Sequence, residues 1–180
     1  MARSQSLHAH NEARRTRDVV DEIARGLAVA LVSDAGTPAI SDPGARVVRA
    51  VLEAGLRVVP VAGPSAVAAA VSAAGLHAER FAFIGFLPER GKPRKDLLAS
   101  LARLPIALVI YEAPHRVRET LGMLAESLGD ARTVVIAREL TKLYEEVWRG
   151  TLDDAVDWVR EREPRGEIVI VVGGAPELAV

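Results

Sequence analysis

The sequence predicts an α/β fold in which strands and helices alternate, and three features of the 180-residue chain lead to that prediction. Short apolar runs at 27–32, 106–111 and 167–172, the last of which begins with Glu167, are typical of strands buried on both faces of a parallel sheet. Amphipathic stretches with helical spacing lie between such runs. Apolar residues make up 49% of the chain, which is enough to form a sizeable core.

The first half of the chain has three predicted helices and three predicted strands. Asp42 and Pro43 are a favourable N-cap and first helical residue for the second helix, and Ser65 is a candidate cap for the third. The helices are expected at 12–25, 43–54 and 66–74, and the strands at 5–8, 27–32 and 57–61. The strand at 5–8 has a weak signal and no strong strand precedes the first helix. A crossover helix normally follows a strand, so the first domain is expected to be incomplete at its N-terminus.

The alternation restarts after Gly75, which predicts a boundary at 75–79 and domains at 1–76 and 77–180. In the second domain, a Pro/Gly-rich basic loop is expected at 87–95. Thr151 and Asp154 resemble a capping box that opens a helix running to about Glu163. The other predicted helices are 95–104 and 117–128, and the predicted strands are 81–86, 106–111, 132–138, 143–149 and 167–172.

The composition excludes several classes of protein and site. Cysteine is absent, which rules out disulfides and thiolate metal sites, and the four histidines have no metal-ligand spacing. No apolar run is long enough to span a membrane, and no secretory signal is present. A net charge of −1 does not indicate a nucleic-acid binder, and 4% aromatics do not indicate a stacking platform for single-stranded RNA.

Two loops follow predicted strands of the first domain, where open α/β sheets bind their ligands. Small residues in Ser33–Gly44 allow a ligand to approach the backbone closely, and Gly63–Ala66 offers N–H groups at the start of a helix. Neither loop matches a P-loop or a dinucleotide fingerprint. The alternative is that each is a plain strand-to-helix turn.

Basic residues and one further loop are the other candidates. His115 and Arg116 follow the strand at 106–111 and suit phosphate binding or substrate orientation, or His115 simply caps the next helix. Cations also cluster at 14–17 and 90–95, either as phosphate contacts or as a solvated surface. Asp34 and Asp42 suit turns and capping better than a carboxylate pair.

The motifs together resemble a known family. Leu31–Pro38 with Ser41–Gly44 is similar to the signature of the ribosomal RNA small-subunit methyltransferase I family, which belongs to the tetrapyrrole methylases, or class III methyltransferases. Further motifs match in the same order over essentially the whole chain. They are Gly63–Ala66, Gly85–Pro88, Tyr111–Arg116, Arg138–Lys142 and Gly166-Glu167.

The resemblance implies two αβα domains with S-adenosylmethionine in the cleft between them, and a cytoplasmic homodimer. The implied activity is 2′-O-methylation of a cytidine ribose in 16S rRNA of the small ribosomal subunit, with no metal and no membrane. The implied cofactor contacts are Ser33, Asp34, Ala35, Gly36, Thr37, Ile40, Ser41, Gly63, Ser65, Ala66, Tyr111, Glu112, Glu167 and Ile168.

Methyl transfer to a ribose hydroxyl needs an oriented oxygen and a group that favours its deprotonation. The catalytic candidates are Glu112, His115, Glu139 and Lys142, although the last two are also spaced to form a surface ion pair. The candidate RNA contacts are Arg90, Lys92, Arg94, Lys95 and Arg116.

The resemblance also implies a missing segment. Similar proteins begin upstream, with a strand, a Gly-Asn-containing loop and a Glu-Asp-Thr-Arg segment that this chain lacks. A fragment, a deliberately shortened chain or a misassigned start are the explanations, and each puts activity of this polypeptide in question. Two other functions stay open: methylation of a small tetrapyrrole or corrinoid by the same fold, and an inactive dimer that only binds the cofactor.

Overall fold

The computed structural model describes residues 4–8 and 10–176, and the chain divides into two compact units, at 1–65 and 66–180. Helices and strands alternate only in the second unit. The first unit contains α1 (Glu12–Ala24) and α2 (Ala45–Glu53). The second contains α3 (Ala66–Ala74), β1 (Phe81–Phe86), α4 (Lys92–Leu101), β2 (Ala107–Glu112), α5 (Val117–Leu128), β3 (Thr133–Arg138), β4 (Glu146–Thr151), α6 (Leu152–Arg160) and β5 (Ile168–Val172).

The five strands of the second unit form one mixed sheet in the order β1-β2-β5-β3-β4. Only β1 and β2 pair in parallel, and the pairs β2–β5, β5–β3 and β3–β4 are antiparallel. The expectation of a parallel sheet is therefore wrong for most of this sheet. The cause is the position of β5, which lies between β2 and β3 and runs against both. A continuous apolar run marks a strand as doubly buried and carries no information on its direction.

Two apolar cores lie on opposite faces of this sheet. Leu108, Ile110, Ile136 and Ile170 point to one face, where they pack with α4, α5 and α6. On the other face, Ala107, Val109, Val135 and Val171 pack against α3. Because both faces of the central strands are covered, β2 and β5 contain almost no polar side chains.

In the first unit, a contact between the two helices fixes the start of α2. The amide of Gly44 donates a 2.9 Å hydrogen bond to the Glu12 carboxylate of α1, and Gly44 is the N-cap residue of α2. The expectation that Asp42 caps this helix is wrong, because Gly44 is the N-cap residue and no capping hydrogen bond comes from the Asp42 side chain. Gly44 has a φ of 134°, and a Cβ there would lie 2.7 Å from Leu31 Cδ2, so glycine is required at this position.

The strands expected at 5–8, 27–32 and 57–61 are wrong in this structure, which leaves all three segments irregular. Their backbones form no sheet ladder within the described residues. Val32 and Val61 are 81% and 85% exposed, although each was expected to be the last residue of a strand. An apolar run predicts a strand only where a neighbouring strand supplies hydrogen-bond partners, and none is paired with these segments.

Six elements of the second unit have bounds within one residue of those expected, whereas α4 is displaced by three residues, β4 begins at Glu146 rather than at 143, and α6 ends at Arg160. The capping box of α6 is confirmed: Thr151 Oγ1 accepts from the Asp154 amide at 3.2 Å, and Asp154 Oδ2 accepts from the Thr151 amide at 3.0 Å. Helix α4 begins at Lys92 rather than Lys95, because Gly91 with a φ of 80° is its N-cap and Pro93 lies in its first turn. The division into domains at 76/77 stays a prediction, while α3 packs within the second compact unit.

Candidate functional site

A hydrogen bond joins the two candidate cofactor loops of the first unit. Thr37 Oγ1 donates to the carbonyl of Pro64 at 2.9 Å. Thr37 belongs to the loop 33–44, and Pro64 lies between Gly63 and Ser65 in the second loop. The structure therefore brings together two segments that are 27 residues apart in the chain.

The first of these loops has an unusual backbone. Ala39 and Ser41 have positive φ angles of 66° and 59°, as does Gly36 at 72°. A non-glycine residue in this region costs about 1–2 kcal/mol. Ser33 stabilises the loop from within, since its hydroxyl lies 3.1 Å from the Ala35 carbonyl and 3.3 Å from that of Gly36. Strained positions of this kind cluster at ligand-binding sites.

Glycine leaves space above both loops. A Cβ built on Gly36 would meet nothing within 4 Å, and one on Gly63 would meet only the Val61 carbonyl at 4.0 Å. The loops carry hydroxyls at Ser33, Thr37 and Ser65, besides their backbone amides and carbonyls. Such a donor set fits the adenosine and amino-acid groups of S-adenosylmethionine, which offer hydroxyls, amines and a carboxylate.

The candidate residues of the second unit converge on one edge of its sheet. Ile168, the first residue of β5, pairs with Glu112 at the end of β2 and with Arg138 at the end of β3. Tyr111 and Glu139 adjoin these pairs. The candidates from three separate motifs therefore lie side by side where β2 and β3 end, which is the edge where α/β sheets bind ligands.

Glu112 is buried at this edge and its carboxylate is fully partnered. It accepts hydrogen bonds from the Ala113 amide at 2.8 Å and from the Thr120 hydroxyl at 2.5 Å. Its Oε1 lies 3.2 Å from Arg116 Nε, and Arg116 in turn donates to the carbonyl of Leu87 at 2.8 Å. Glu112 and Arg116 thus tie the end of β2 to the segment after β1, while His115 lies exposed in the turn between them.

Glu139, Lys142 and Glu167 form a charged cluster at the same edge. Glu139 Oε1 accepts from Lys142 Nζ at 2.9 Å and from the Glu167 amide at 2.8 Å, and Lys142 also lies 3.1 Å from Glu167 Oε2. The Glu167 amide, and then Lys142, hold the pKa of Glu139 below its usual value. Glu139, and then Glu167, raise the pKa of Lys142. The surface pair expected from the spacing is present, with Glu167 as a third member.

The backbone around this cluster is also strained. Glu139 and Thr141 have positive φ angles of 51° and 65°. A Cβ on Gly166 would lie 2.3 Å from the Glu139 carboxylate, so only glycine lets this side chain approach the strand. The position of the Glu139 carboxylate is therefore determined by its own backbone, after β3, and by Gly166, before β5.

The basic segment after β1 differs from the expected loop of surface cations. Arg94 is only 1% exposed, and its guanidinium donates to the Pro88 carbonyl at 2.5 Å and to Glu119 at 2.7 Å. The expectation that Arg94 is a surface cation is wrong, because helix α4 starts early and turns this side chain inward. Arg90, Lys92 and Lys95 are exposed.

Comparison with known proteins identifies the family. A model of the tetrapyrrole (corrin/porphyrin) methylases matches residues 1–156, which is most of the chain. The chain belongs to the tetrapyrrole methylase family. The α/β fold and the family expected from the motifs are therefore confirmed.

Curated members of this family give closer matches. The chain is 46% identical to ribosomal RNA small subunit methyltransferase I of Synechocystis sp., over 94% of this chain and 61% of that protein. The protein of the same name from Vibrio cholerae is 46% identical, over 94% of this chain and 59% of that protein. The one from Xylella fastidiosa is 49% identical, over 96% of this chain and 64% of that protein. The chain spans about three fifths of the length of these relatives.

Solved tetrapyrrole methylases share the fold. The methyltransferase CobJ matches with a TM-score of 0.70 and 23% identity, over 94% of this chain and 74% of that one. Cobalt precorrin-4 methyltransferase CbiF matches with a TM-score of 0.70 and 18% identity, over 96% and 73%. Uroporphyrin-III C-methyltransferase from Thermus thermophilus, complexed with S-adenosylhomocysteine, matches with a TM-score of 0.62 and 20% identity. The match covers 90% of this chain and 73% of that one.

Two further findings complete the description of this tetrapyrrole methylase. Among the described residues, no group of three His, Asp or Glu side chains is placed to hold a metal ion, and no helix has the length and apolar character needed to cross a bilayer. The motifs also missed a feature of β1, where Phe81, Phe83 and Phe86 are all exposed. The sequence did contain a signal for this feature, because Phe81 and Phe83 are two residues apart and so lie on the same face of a strand.

Proposed function

We propose that this chain carries cofactor and substrate groups of an enzyme that uses S-adenosylmethionine to methylate the 2′-hydroxyl of a cytidine ribose in 16S rRNA. The observation that carries this proposal is the hydrogen bond from Thr37 to Pro64, which unites two open, glycine-containing loops. The similarity to curated relatives named ribosomal RNA small subunit methyltransferase I supports the choice of substrate.

In this proposal the two joined loops hold S-adenosylmethionine. Ser33, Asp34, Ala35, Gly36, Thr37, Ile40, Ser41, Gly63, Ser65 and Ala66 form one set of contacts, and Tyr111, Glu112, Glu167 and Ile168 form the other. When bound, the cofactor supplies an electrophilic methyl group on a sulfonium. The protein has to hold the ribose oxygen in line with that group, and such orientation is worth about 7–11 kcal/mol.

Lys142 is the strongest candidate for stabilising charge on the reacting oxygen. Its raised pKa keeps it protonated at neutral pH, so it acts as a cation rather than as a base. An ammonium has three N–H donors, and Glu139 and Glu167 accept two of them. In this proposal the third donates to the oxygen that loses its proton, and preorganised donors of this kind favour the transition state.

The other three catalytic candidates receive different roles. The lowered pKa of Glu139 makes it a weak base, and its contacts assign it to positioning Lys142. Glu112 is buried against Arg116 and Thr120, which suits positioning of the Tyr111–Arg116 segment. His115 is exposed, and histidine is the side chain best suited to accept a proton at neutral pH, so it is the proposed proton acceptor.

The remaining parts of the proposal concern partners and location. The small ribosomal subunit is the proposed substrate, a homodimer the proposed assembly and the cytoplasm the proposed compartment. A corrinoid substrate is less well supported, because the tetrapyrrole enzymes with related structures are 18–23% identical, whereas the relatives named for ribosomal RNA reach 49%.

Transfer of tritium from labelled S-adenosylmethionine tests this function. We expect label in the 16S rRNA of small subunits purified from a strain that lacks the endogenous enzyme. Subunits from the parent strain, whose site is already methylated, are the matched control and should take up little label. Label in a corrinoid acceptor, or in ribosomal protein alone, would contradict the proposal.

A further inference from the structure

The edge strand β1 exposes an unusual concentration of aromatic side chains. The chain has only three phenylalanines, and all three lie on this strand. Phe81, Phe83 and Phe86 are 42%, 37% and 51% exposed. Single exposed apolar residues are ordinary, but a contiguous group of large ones marks an interaction surface.

A bulge places the three rings on the same face of the sheet. Phe81 pairs with Ala107 and Phe83 with Val109, and the register then shifts so that Phe86 pairs with Tyr111. Side chains alternate along a regular strand, so Phe86 would otherwise point opposite to Phe83. Gly85, with a φ of 71°, accommodates the shift.

Tyr111 holds two of these rings in a defined arrangement. Its ring centroid lies 4.9 Å from that of Phe83 and 5.8 Å from that of Phe86, with interplanar angles of 68° and 66°. These edge-to-face contacts are favourable and fix the ring orientations. We call Phe81, Phe83, Phe86 and Tyr111 the aromatic strip.

Exposed cations follow the aromatic strip directly in the chain. Arg90, Lys92 and Lys95, which we call the cation turn, occupy the turn after β1 and the first turn of α4. The buried guanidinium of Arg94 holds this turn in place through Pro88 and Glu119. Lys92 forms an ion pair with Asp96 at 2.6 Å, which offsets part of its charge. The N-terminus of α4 adds a partial positive charge that also attracts anions.

We propose that the aromatic strip and the cation turn together bind a single-stranded segment of RNA. Unpaired bases stack on the phenylalanine rings, and the phosphates that follow contact the cation turn. Aromatic platforms beside positive charge are the usual means of binding single-stranded nucleic acid. The choice of RNA as the ligand rests on the proposed function. The aromatic strip adds where the RNA binds and that its bases bind by stacking.

The adjoining charge favours a nucleic acid over a second copy of the chain as the occupant. Interface cores between proteins are depleted in charged residues, and in lysine especially. Three exposed cations follow the aromatic strip in the chain, and they complement a phosphate backbone but would have to be desolvated or paired at a protein interface.

Affinity for a short fluorescein-labelled single strand of RNA, measured by anisotropy with the full chain, tests the proposal. The double variant Phe81→Leu/Phe83→Leu keeps apolar bulk and removes two rings, and we expect it to bind roughly tenfold more weakly or worse. Phe81→Tyr/Phe83→Tyr is the matched control that keeps both rings. It should bind within about threefold of the wild type, because stacking depends on the ring face.

The salt dependence separates the two halves of the surface. Replacing Arg90, Lys92 and Lys95 by Gln should reduce the slope of log K against log salt by about 0.7 for each phosphate that the protein no longer neutralises. The leucine double variant should leave that slope unchanged. A duplex of the same sequence should be insensitive to both phenylalanine changes, since its bases are already stacked.

Three results would overturn the proposal. In the first, the leucine variant binds single strands as tightly as the wild type does. In the second, the leucine and tyrosine variants bind equally weakly. The third is a change of oligomeric state in sedimentation velocity with RNA affinity unaltered, which would make the strip a protein interface.

The tritium assay keeps this test distinct from that of the proposed function. A chain that methylates small subunits, yet binds RNA independently of Phe81 and Phe83, contradicts the strip alone. A chain that binds single strands through these rings and labels no rRNA supports the strip and contradicts the function.

Discussion

The hydroxyl of Thr37 donates a 2.9 Å hydrogen bond to the carbonyl of Pro64, and this bond joins two loops of the first unit. Loop 33–44 and loop 63–65 each leave space above a glycine, at Gly36 and Gly63. The proposed cofactor site depends on the two loops keeping this arrangement.

Replacing Thr37 by Val should weaken the binding of S-adenosylhomocysteine. The isosteric change removes the bond to Pro64, and a hydrogen bond contributes about 0.5–1.5 kcal/mol net, equivalent to roughly 2- to 10-fold in affinity. Isothermal titration calorimetry measures the decrease. Thr37→Ser keeps the hydroxyl and should restore most of the affinity. Wild-type affinity in Thr37→Val would show that the bond does not support the site.

Substitution of Gly36 by Ala should remove cofactor binding beyond its effect on stability. Gly36 and Gly55 have φ angles of 72° and 70°, and a Cβ on either meets nothing within 4 Å. Each alanine therefore costs about 1 kcal/mol of backbone strain, measurable by urea unfolding. Only Gly36 lies in the candidate site, so Gly55→Ala is the control for strain. Equal cofactor affinity in the two variants would argue against a ligand above Gly36.

Lys142→Met should lower the rate of methyl transfer far more than it lowers cofactor affinity. The change removes the proposed donor to the reacting oxygen, and loss of one such donor costs roughly 10²–10³ in kcat. Single-turnover transfer to small subunits measures it. Lys142→Arg keeps the positive charge in a different geometry and should retain part of the rate. A Met variant with wild-type kcat would remove Lys142 from the mechanism.

The stability contributed by Glu139 should depend on pH in two regions. Its pKa is lowered from 4.5, so its contribution is complete above that value and is lost as the pH falls through the folded pKa. The pKa of Lys142 is raised from 10.5, so its contribution is complete below that value and is lost as the pH rises through the folded pKa.

Urea unfolding of the wild type and Glu139→Gln checks this dependence. The stability difference should be constant through the neutral range, and should shrink in acid below pH 4.5 and in alkali above pH 10.5. A difference that grows in acid would mean that the carboxylate is destabilised in the folded protein.

Arg132 should be essential to the stability of the second unit. It is 7% exposed, and its guanidinium donates to the carbonyls of Leu128, Ala102 and Gly173 at 3.3, 2.6 and 2.9 Å. Arg132→Met leaves these buried carbonyls without donors, which should cost about 3 kcal/mol in urea unfolding. Arg118 donates to two carbonyls but is exposed, so Arg118→Met should cost less than about 1 kcal/mol. Similar destabilisation in the two variants would show that burial does not decide the effect.

Local signals in the sequence predicted the helices and the strand positions of the second unit well. Thr151 with Asp154 determined the start of α6, and the glycine after Leu128 determined the end of α5. The position of β5 between β2 and β3 depends on contacts between distant segments. No local pattern carries that information, so the antiparallel pairs were not expected.

In the first unit, local signals predicted strands that did not form. The apolar run at 27–32 and the valine-rich segment at 57–61 met the local criteria for strands, but a strand forms only with a hydrogen-bonded neighbour. The motifs of the candidate site were more informative, because glycines in Ser33–Gly44 and Gly63–Ala66 reflect backbone needs that are local. The burial of Arg94 was not predictable, since its partners Pro88 and Glu119 are contributed by two different segments.

The most direct test of the proposed function identifies the product nucleoside. Small subunits lacking the modification are incubated with the chain and S-adenosylmethionine, and the 16S rRNA is digested to nucleosides for mass spectrometry. We predict 2′-O-methylcytidine, absent when Gly36→Ala replaces the wild type. A methyl group on a base, or no methylated nucleoside from a chain that binds S-adenosylhomocysteine, would contradict ribose methylation by this protein.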